Sequence, residues 1–330
     1  MNAPLIDRRW IFILIGLFCV CCTDRRPKFL PQDFPTPQAA PITRVAEVQF
    51  DNGPTQALQM SLVDSSLYLT GRPFGFSRWD VGSDPESPRL IFAASDNIEG
   101  FSPYPQFGFW TPDSFAQGAL DVIGKRAFMS GAAGLSIVDT SQTHSPVEMA
   151  RFPSEKVDDV QVTRDPAFVY SAMTHHPTLP IAYGFAEQDF VYTLSVAATG
   201  VRIIEKAAYS NSSVCCAMGA AMVGAKTLVA MRGSLWIFEF LSDGRLGEPT
   251  EFQSLQAVNV VATPGFIYVQ HEPTYGQASG VGHPKGIYVF DADGNPSAFL
   301  PVSPIRFAVY QDRYIYANED NSQISIYRIR

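Results

Sequence analysis

From residue 42 onward the chain sets apolar and polar side chains in short runs, and Gly, Pro, Asp or Ser interrupts nearly every one. EVQF at 47–50 and QISI at 323–326 alternate strictly, which is the period of a strand with one buried face. The interrupting residues are those of tight turns, because they tolerate unusual backbone angles or bond back to nearby N–H groups. Short strands separated by such turns predict an all-β, antiparallel fold.

The pattern repeats. GFSRWDVGSDPESPRLIF at 75–92 and GLSIVDTSQTHSPVEMARF at 134–152 share a Gly, an apolar strand ending in Asp, a Ser/Pro turn and a further strand. Each is preceded by another strand, centred on Tyr68 and Phe128. The same outline recurs with less fidelity around Tyr183, Val229, Tyr268 and Tyr316, so the centres fall 39 to 60 residues apart. Units of roughly 40–50 residues with four strands each are the signature of a β-propeller. Six four-stranded blades are expected, with five or seven as alternatives. Inner strands are expected at 119–123, 157–162, 215–223, 257–262 and 305–310, with small residues suited to a crowded axis, as in CCAMGAAM. The last unit ends at Arg330 after three strands, and residues 44–50 are expected to supply its fourth, closing the ring and covering the open edge.

The two best-preserved units resemble LVIVD repeats, in which a Gly precedes an apolar strand ending in Val-Asp, followed by a turn and a Pro. The resemblance covers two repeats well and the others only in outline. It implies a propeller of a kind frequent on exported bacterial proteins, and it implies no particular chemistry. Asp80 and Asp139 are read as turn residues whose carboxylates accept backbone N–H groups. Asp291 to Asn295 lacks the downstream Glu of a calcium-binding loop and is read as a plain turn.

The N-terminus has a different character. Arg8 and Arg9 precede an apolar run at 10–22 that is only 13 residues long, whereas a bilayer-spanning helix needs about 20. The run closes on Cys19, Cys21 and Cys22, and this resembles a bacterial lipoprotein signal with Cys22 as the acylated residue. Cys21 is the alternative acceptor; an uncleaved short anchor or plain secretion are the alternative fates. Residues 1–22 are therefore read as a signal, the Pro-rich stretch 23–41 as a tether and 42–330 as the propeller. Each reading places the domain outside the cytoplasm, in the cell envelope, periplasmic or surface-exposed. Charged residues make up only 17% of the chain, which disfavours helical bundles, and a net charge of −8 argues against nucleic acid as a partner.

Candidate function is expected where the chain departs from its repeat. Residues 97–117 carry Phe101, Tyr104, Phe107, Phe109 and Trp110, an aromatic density that in water would need a covering surface: the loop either lids the channel or packs on a neighbouring blade, or it forms a binding surface. The same face of a propeller should carry His271, Glu272, His283, Glu319 and Asp320 near the channel mouth, whereas His175 and His176 belong to the opposite face. Their spacing matches no metal motif, and no cofactor motif, nucleophile elbow or phosphate loop is present. Cys215 and Cys216 are read as small inner-strand thiols. The leading expectation is a membrane-anchored binding or scaffold module for a protein or carbohydrate in the envelope. The alternative is a hydrolase or lyase using His271, Glu272 and His283.

Overall fold

A computed structural model describes residues 30–31, 33–49, 57–71, 75–94, 119–131, 134–141, 147–153, 170–186, 190–197, 200–208, 217–231, 234–252, 254–273, 282–320 and 323–330. It is an all-β ring of six four-stranded antiparallel blades, with no helix among the described residues. Strand β1 (Ile42–Gln49) opens the domain. Blade 1 is β2 (Ala57–Val63), β3 (Ser66–Gly71), β4 (Gly75–Asp80) and β5 (Arg89–Ala94); blade 2 is β6 (Ala119–Ile123), β7 (Arg126–Gly131), β8 (Gly134–Asp139) and β9 (Val147–Pro153). Blade 3 is β10 (Ala172–His175), β11 (Ile181–Phe185), β12 (Phe190–Ala197) and β13 (Gly200–Ala208). Blade 4 is β14 (Ala217–Val223), β15 (Lys226–Met231), β16 (Ser234–Glu239) and β17 (Thr250–Phe252). Blade 5 is β18 (Ala257–Ala262), β19 (Phe266–His271), β20 (Gly286–Asp291) and β21 (Pro296–Leu300); blade 6 holds β22 (Arg306–Tyr310), β23 (Tyr314–Asp320) and β24 (Gln323–Ile329).

All six repeat centres lie on the second strands and are buried. The core is divided among the six seams between blades, because each twisted sheet buries both of its faces against its neighbours. Tyr68, Phe76 and Phe92 of blade 1 meet Leu120, Met129 and Val138 of blade 2, and the last seam joins Tyr316, Ile324 and Ile326 to Leu67, Leu69 and Trp79. Tyrosine hydroxyls latch several seams. Tyr183 of blade 3 donates to the Gly244 carbonyl in the outer turn of blade 4 at 2.6 Å. Tyr316 of blade 6 donates to the Pro85 carbonyl in the corresponding turn of blade 1 at 2.9 Å. Between blades 1 and 2 the link is made by Arg78, which lies over the Tyr68 ring and donates to the Thr140 carbonyl at 3.0 Å.

Ring closure follows the expected route. β1 pairs antiparallel with β24 from Ile42↔Ile329 to Gln49↔Gln323, and Arg328 and Tyr314 both engage Glu86 of blade 1. Two expectations change. The inner strand of blade 3 is β10, with Tyr170 packed beside it, whereas 157–162 lies outside the described residues. The proline-rich stretch, expected to be a tether, is laid on the propeller from Leu30 onward. Leu30 (4% exposed) and Phe34 (9%) enter the seam between blades 4 and 5, with Phe34 edge-on to Phe290 at 5.4 Å. Ala39 then bridges to Phe299 of β21, and its neighbour Ala40 donates to the Phe299 carbonyl at 2.9 Å. Prolines forbid a regular strand or helix here but do not forbid two well-placed apolar side chains from docking.

Deleting 42–49 is expected to unfold or aggregate the domain, since it bares the β24 edge and the blade 6–1 seam; an unchanged thermal midpoint would count against closure by β1. Ile326→Ala, at a position with no exposed surface, is expected to cost about 2–5 kcal/mol in denaturant unfolding. Tyr183→Phe should cost about 1–3 kcal/mol, because the buried Gly244 carbonyl loses its donor.

Candidate functional site at the channel and its mouth

The inner strands β2, β6, β10, β14, β18 and β22 enclose an axial cavity of about 210 Å³. Its wall is mostly small or apolar, and its polar groups lie at two levels. Gln59, Asn259 and Arg306 pair with Thr70, Gln270 and Asn318, each two residues beyond the repeat centre of its blade. Asp121 pairs with the centre Phe128 itself, and His175 pairs with Ala182, one residue before Tyr183. At about 3.3 Å per residue, Arg306 and His175 stand ~10 Å apart along the strands.

His175 Nδ1 lies 3.0 Å from Asp121 Oδ2 and 3.2 Å from Oδ1. Asp121 Oδ1 also accepts the N–H of Val122 at 2.9 Å, which orients the carboxylate. Burial disfavours the charged imidazolium, but the hydrogen bond and charge of Asp121 outweigh it and hold the His175 pKa above its ordinary value. In the upper layer Gln270 donates its amide to the Pro304 carbonyl, and Arg306 Nη1 donates to the Ile305 carbonyl at 2.9 Å. Asn259 Oδ1 accepts the N–H of Val260 at 2.9 Å and sits where a side chain on Gly219 would intrude. The glycine in β14 thus makes room for the amide.

The residues expected at the mouth have other work. His271 is 1% exposed; its Nδ1 accepts the Gln256 N–H at 2.8 Å and its Nε2 donates to the His283 carbonyl at 3.2 Å. His283 stacks on Phe34 at 4.6 Å between centroids, and its Nδ1 is 3.1 Å from the Thr36 hydroxyl. Glu272 pairs with Lys285 at 2.6 Å and accepts from the Ser303 hydroxyl at 3.3 Å. His283 thus holds the docked N-terminal segment, while His271 and Glu272 hold the loop that carries His283 and Lys285. Glu319, on blade 6, raises the pKa of Tyr327, whose hydroxyl is pushed up to about 12, first by burial and then by this carboxylate. Asp320 ends β23, and its side chain lies outside the description. No three His, Cys, Asp or Glu side chains among the described residues form a metal-holding group. Phe101, Tyr104, Phe107, Phe109, Trp110, Cys22, Cys215 and Cys216 lie outside the described residues.

The turn aspartates behave as their local chemistry dictates. Asp80 accepts the Gly82 N–H at 2.9 Å and the Ser83 hydroxyl at 2.6 Å, Asp139 accepts the Ser141 N–H at 2.8 Å, and Asp291 accepts from both Asp293 and Asn295. Sequence reading passed over Gln59, Asp121, His175 and Arg306 as a group. The available signal was one polar residue in an otherwise apolar inner strand, as in ALDVI.

The pH dependence of the docked segment has a definite sign. Burial lowers the pKa values of both His271 and His283 below the ordinary histidine value of 6.5. The unfolded chain takes up these protons first, so their contribution is intact above about pH 6.5 and is lost as pH falls below it. His271→Asn keeps an acceptor near the Nδ1 position and removes that titration. Its denaturant midpoint should therefore fall less between pH 7.5 and 5.5 than that of the unsubstituted chain.

Comparison with known proteins places the architecture and nothing finer. No protein-family model matches the chain, and neither does any curated protein. Among solved structures, the WD40 domain of Pan2 from Neurospora crassa is similar at a TM-score of 0.55 and 10% identity, over 89% of this chain and 98% of that one. The computationally designed Ika8 protein matches at a TM-score of 0.42 and 8% identity, over 82% of this chain and 70% of its own, a likeness too loose to bear on the fold. At such identities what is shared is the ring of blades.

Proposed function

We propose that this chain is a lipid-anchored propeller of the bacterial cell envelope that serves as a binding or scaffold module, with the repeats related to the LVIVD type. The observation that carries the module reading is the use of His271, Glu272 and His283. Both ring nitrogens of His271 are engaged, Glu272 is paired with Lys285, and His283 is stacked on Phe34. The hydrolase or lyase reading drew its acid and base from these residues. A closed ring instead offers a rigid frame on which connecting loops are displayed, and loops on rigid scaffolds carry most recognition surfaces.

The anchor reading gains a geometric corollary from the docked segment. With Cys22 as the acylated first residue, only residues 23–29 separate the lipid from Leu30, a span of about 29 Å at most when fully extended. The propeller would then ride close to the membrane, with the seam between blades 4 and 5 nearest the attachment. Residues 97–117 join blade 1 to blade 2 and, with Phe101, Tyr104, Phe107, Phe109 and Trp110, are the proposed contact surface for a protein or carbohydrate partner.

Cys22→Ser is expected to move the protein from the membrane fraction to the soluble envelope fraction, while Cys21→Ser leaves it membrane-bound; retention of the first variant overturns the anchor. For the partner, cross-linked recovery from envelope extract is compared between the intact protein and one with 101–111 replaced by Gly/Ser. Equal recovery sinks the aromatic surface.

A further inference from the structure

We infer that the axial channel is a binding site for a small linear dicarboxylate, held at the upper layer by Arg306 and Gln59 and at the lower by His175. This site is independent of the membrane anchor and of the aromatic segment.

Three features converge on an anion. Gln59 is 9% exposed and lines the channel, and its Nε2 is a buried donor with no hydrogen-bond partner. A buried unpartnered donor costs about 1–3 kcal/mol, a cost that a ligand acceptor would remove. Arg306, 4% exposed, brings a permanent positive charge to the same layer. His175 supplies the third group: Asp121 occupies Nδ1, which leaves Nε2 as the nitrogen available to the channel and favours the imidazolium that donates from it. The channel wall contains one Arg, one Asp and one His as its charged or titratable groups, so its sum is positive when His175 is protonated.

The separation of the two layers selects the ligand class. The two levels of the wall lie ~10 Å apart along the strands, so a molecule that touches both is elongated, with an acceptor at each end, rather than a single compact anion. The apolar stretch between the layers includes Met173, Ala220, Val260 and Ala308, which suits a short methylene chain. The volume of about 210 Å³ admits such a molecule.

The pH dependence belongs to His175. Of the elements packed against β10, β6 faces it with Asp121, β14 presents no titratable residue, and β11 contributes Tyr183, whose hydroxyl bonds to Gly244 on the far side. His176 follows it in the chain, and its own pKa is lowered, first by burial and then by the charge of His175. Binding should therefore weaken as pH rises through the elevated pKa of His175.

The test is titration calorimetry on the full-length protein with succinate, glutarate and adipate as probes, and with inorganic phosphate and acetate as compact controls. The expected result is one site per chain for at least one dicarboxylate, at least tenfold tighter than phosphate or acetate. Arg306→Met and His175→Gln should each weaken it tenfold or more. In Asp121→Asn, the pH at which affinity is lost should move down, because burial of His175 is then no longer opposed by a carboxylate. Gln59→Met guards against a mere folding defect: affinity should fall several-fold while the ligand-free thermal midpoint stays level or rises, since the substitution removes an unpartnered buried donor. No binding by any dicarboxylate, phosphate binding as tightly, or a Gln59→Met variant that loses stability but not affinity would each overturn the assignment.

Discussion

Every blade in this protein is a sheet with two apolar faces, and neither face can be left in water. A lone four-stranded sheet of this composition would bury one side at best. Six of them arranged about an axis bury both, each seam filled by side chains from the strands of two neighbouring blades. The ring is therefore one cooperative object whose weakest joint is where the chain begins and ends. β1 completes blade 6, and the Glu86 contacts of Arg328 and Tyr314 tie that blade to blade 1. Leu30 and Phe34 extend the same device backward, so that residues before the closing strand also seal the seam between blades 4 and 5.

That constraint decides which polar groups are available for chemistry. Polar side chains within the seams are committed to holding blades together, as with Tyr183, Tyr316 and Arg78. His283 is likewise committed to the docked N-terminal segment, and His271 to the backbone of Gln256 and His283. The inner strands differ, because their edges face a space that no neighbouring sheet fills. Polar groups placed there, such as Gln59 and His175, are held by the frame without being used up by it. The tightest structural demands and the most available donors thus lie within one strand of each other.

The repeat centres show how far a local signal reaches. Tyr68, Tyr183, Tyr268 and Tyr316 stood out as recurring aromatic residues in strand-like runs, and all four are buried on second strands. The hydroxyl partners of Tyr183 and Tyr316 lie in the next blade, in one case across the chain's own closure, and no spacing within a repeat announces them. His271 is the opposite case. A buried histidine next to a glutamate looks like acid–base chemistry in one dimension. In three dimensions its nitrogens satisfy the backbone of Gln256 and of His283.

Alternation of apolar and polar residues, the Gly and Asp turns and the spacing of the aromatic centres were enough to indicate strands, hairpins, a propeller repeat and the strand that closes it, while six blades stood against five or seven until the ring was seen. These are local properties, set by backbone geometry and by neighbours a few residues apart. The docking of Leu30 and Phe34, the identity of the inner strand of blade 3, and the meeting of Asp121 with His175 across 54 residues were decided only by the closed ring. The physical reason is that closure fixes which inner strands become neighbours around the axis, and a pairing between side chains on different blades has no period that the chain could display in advance.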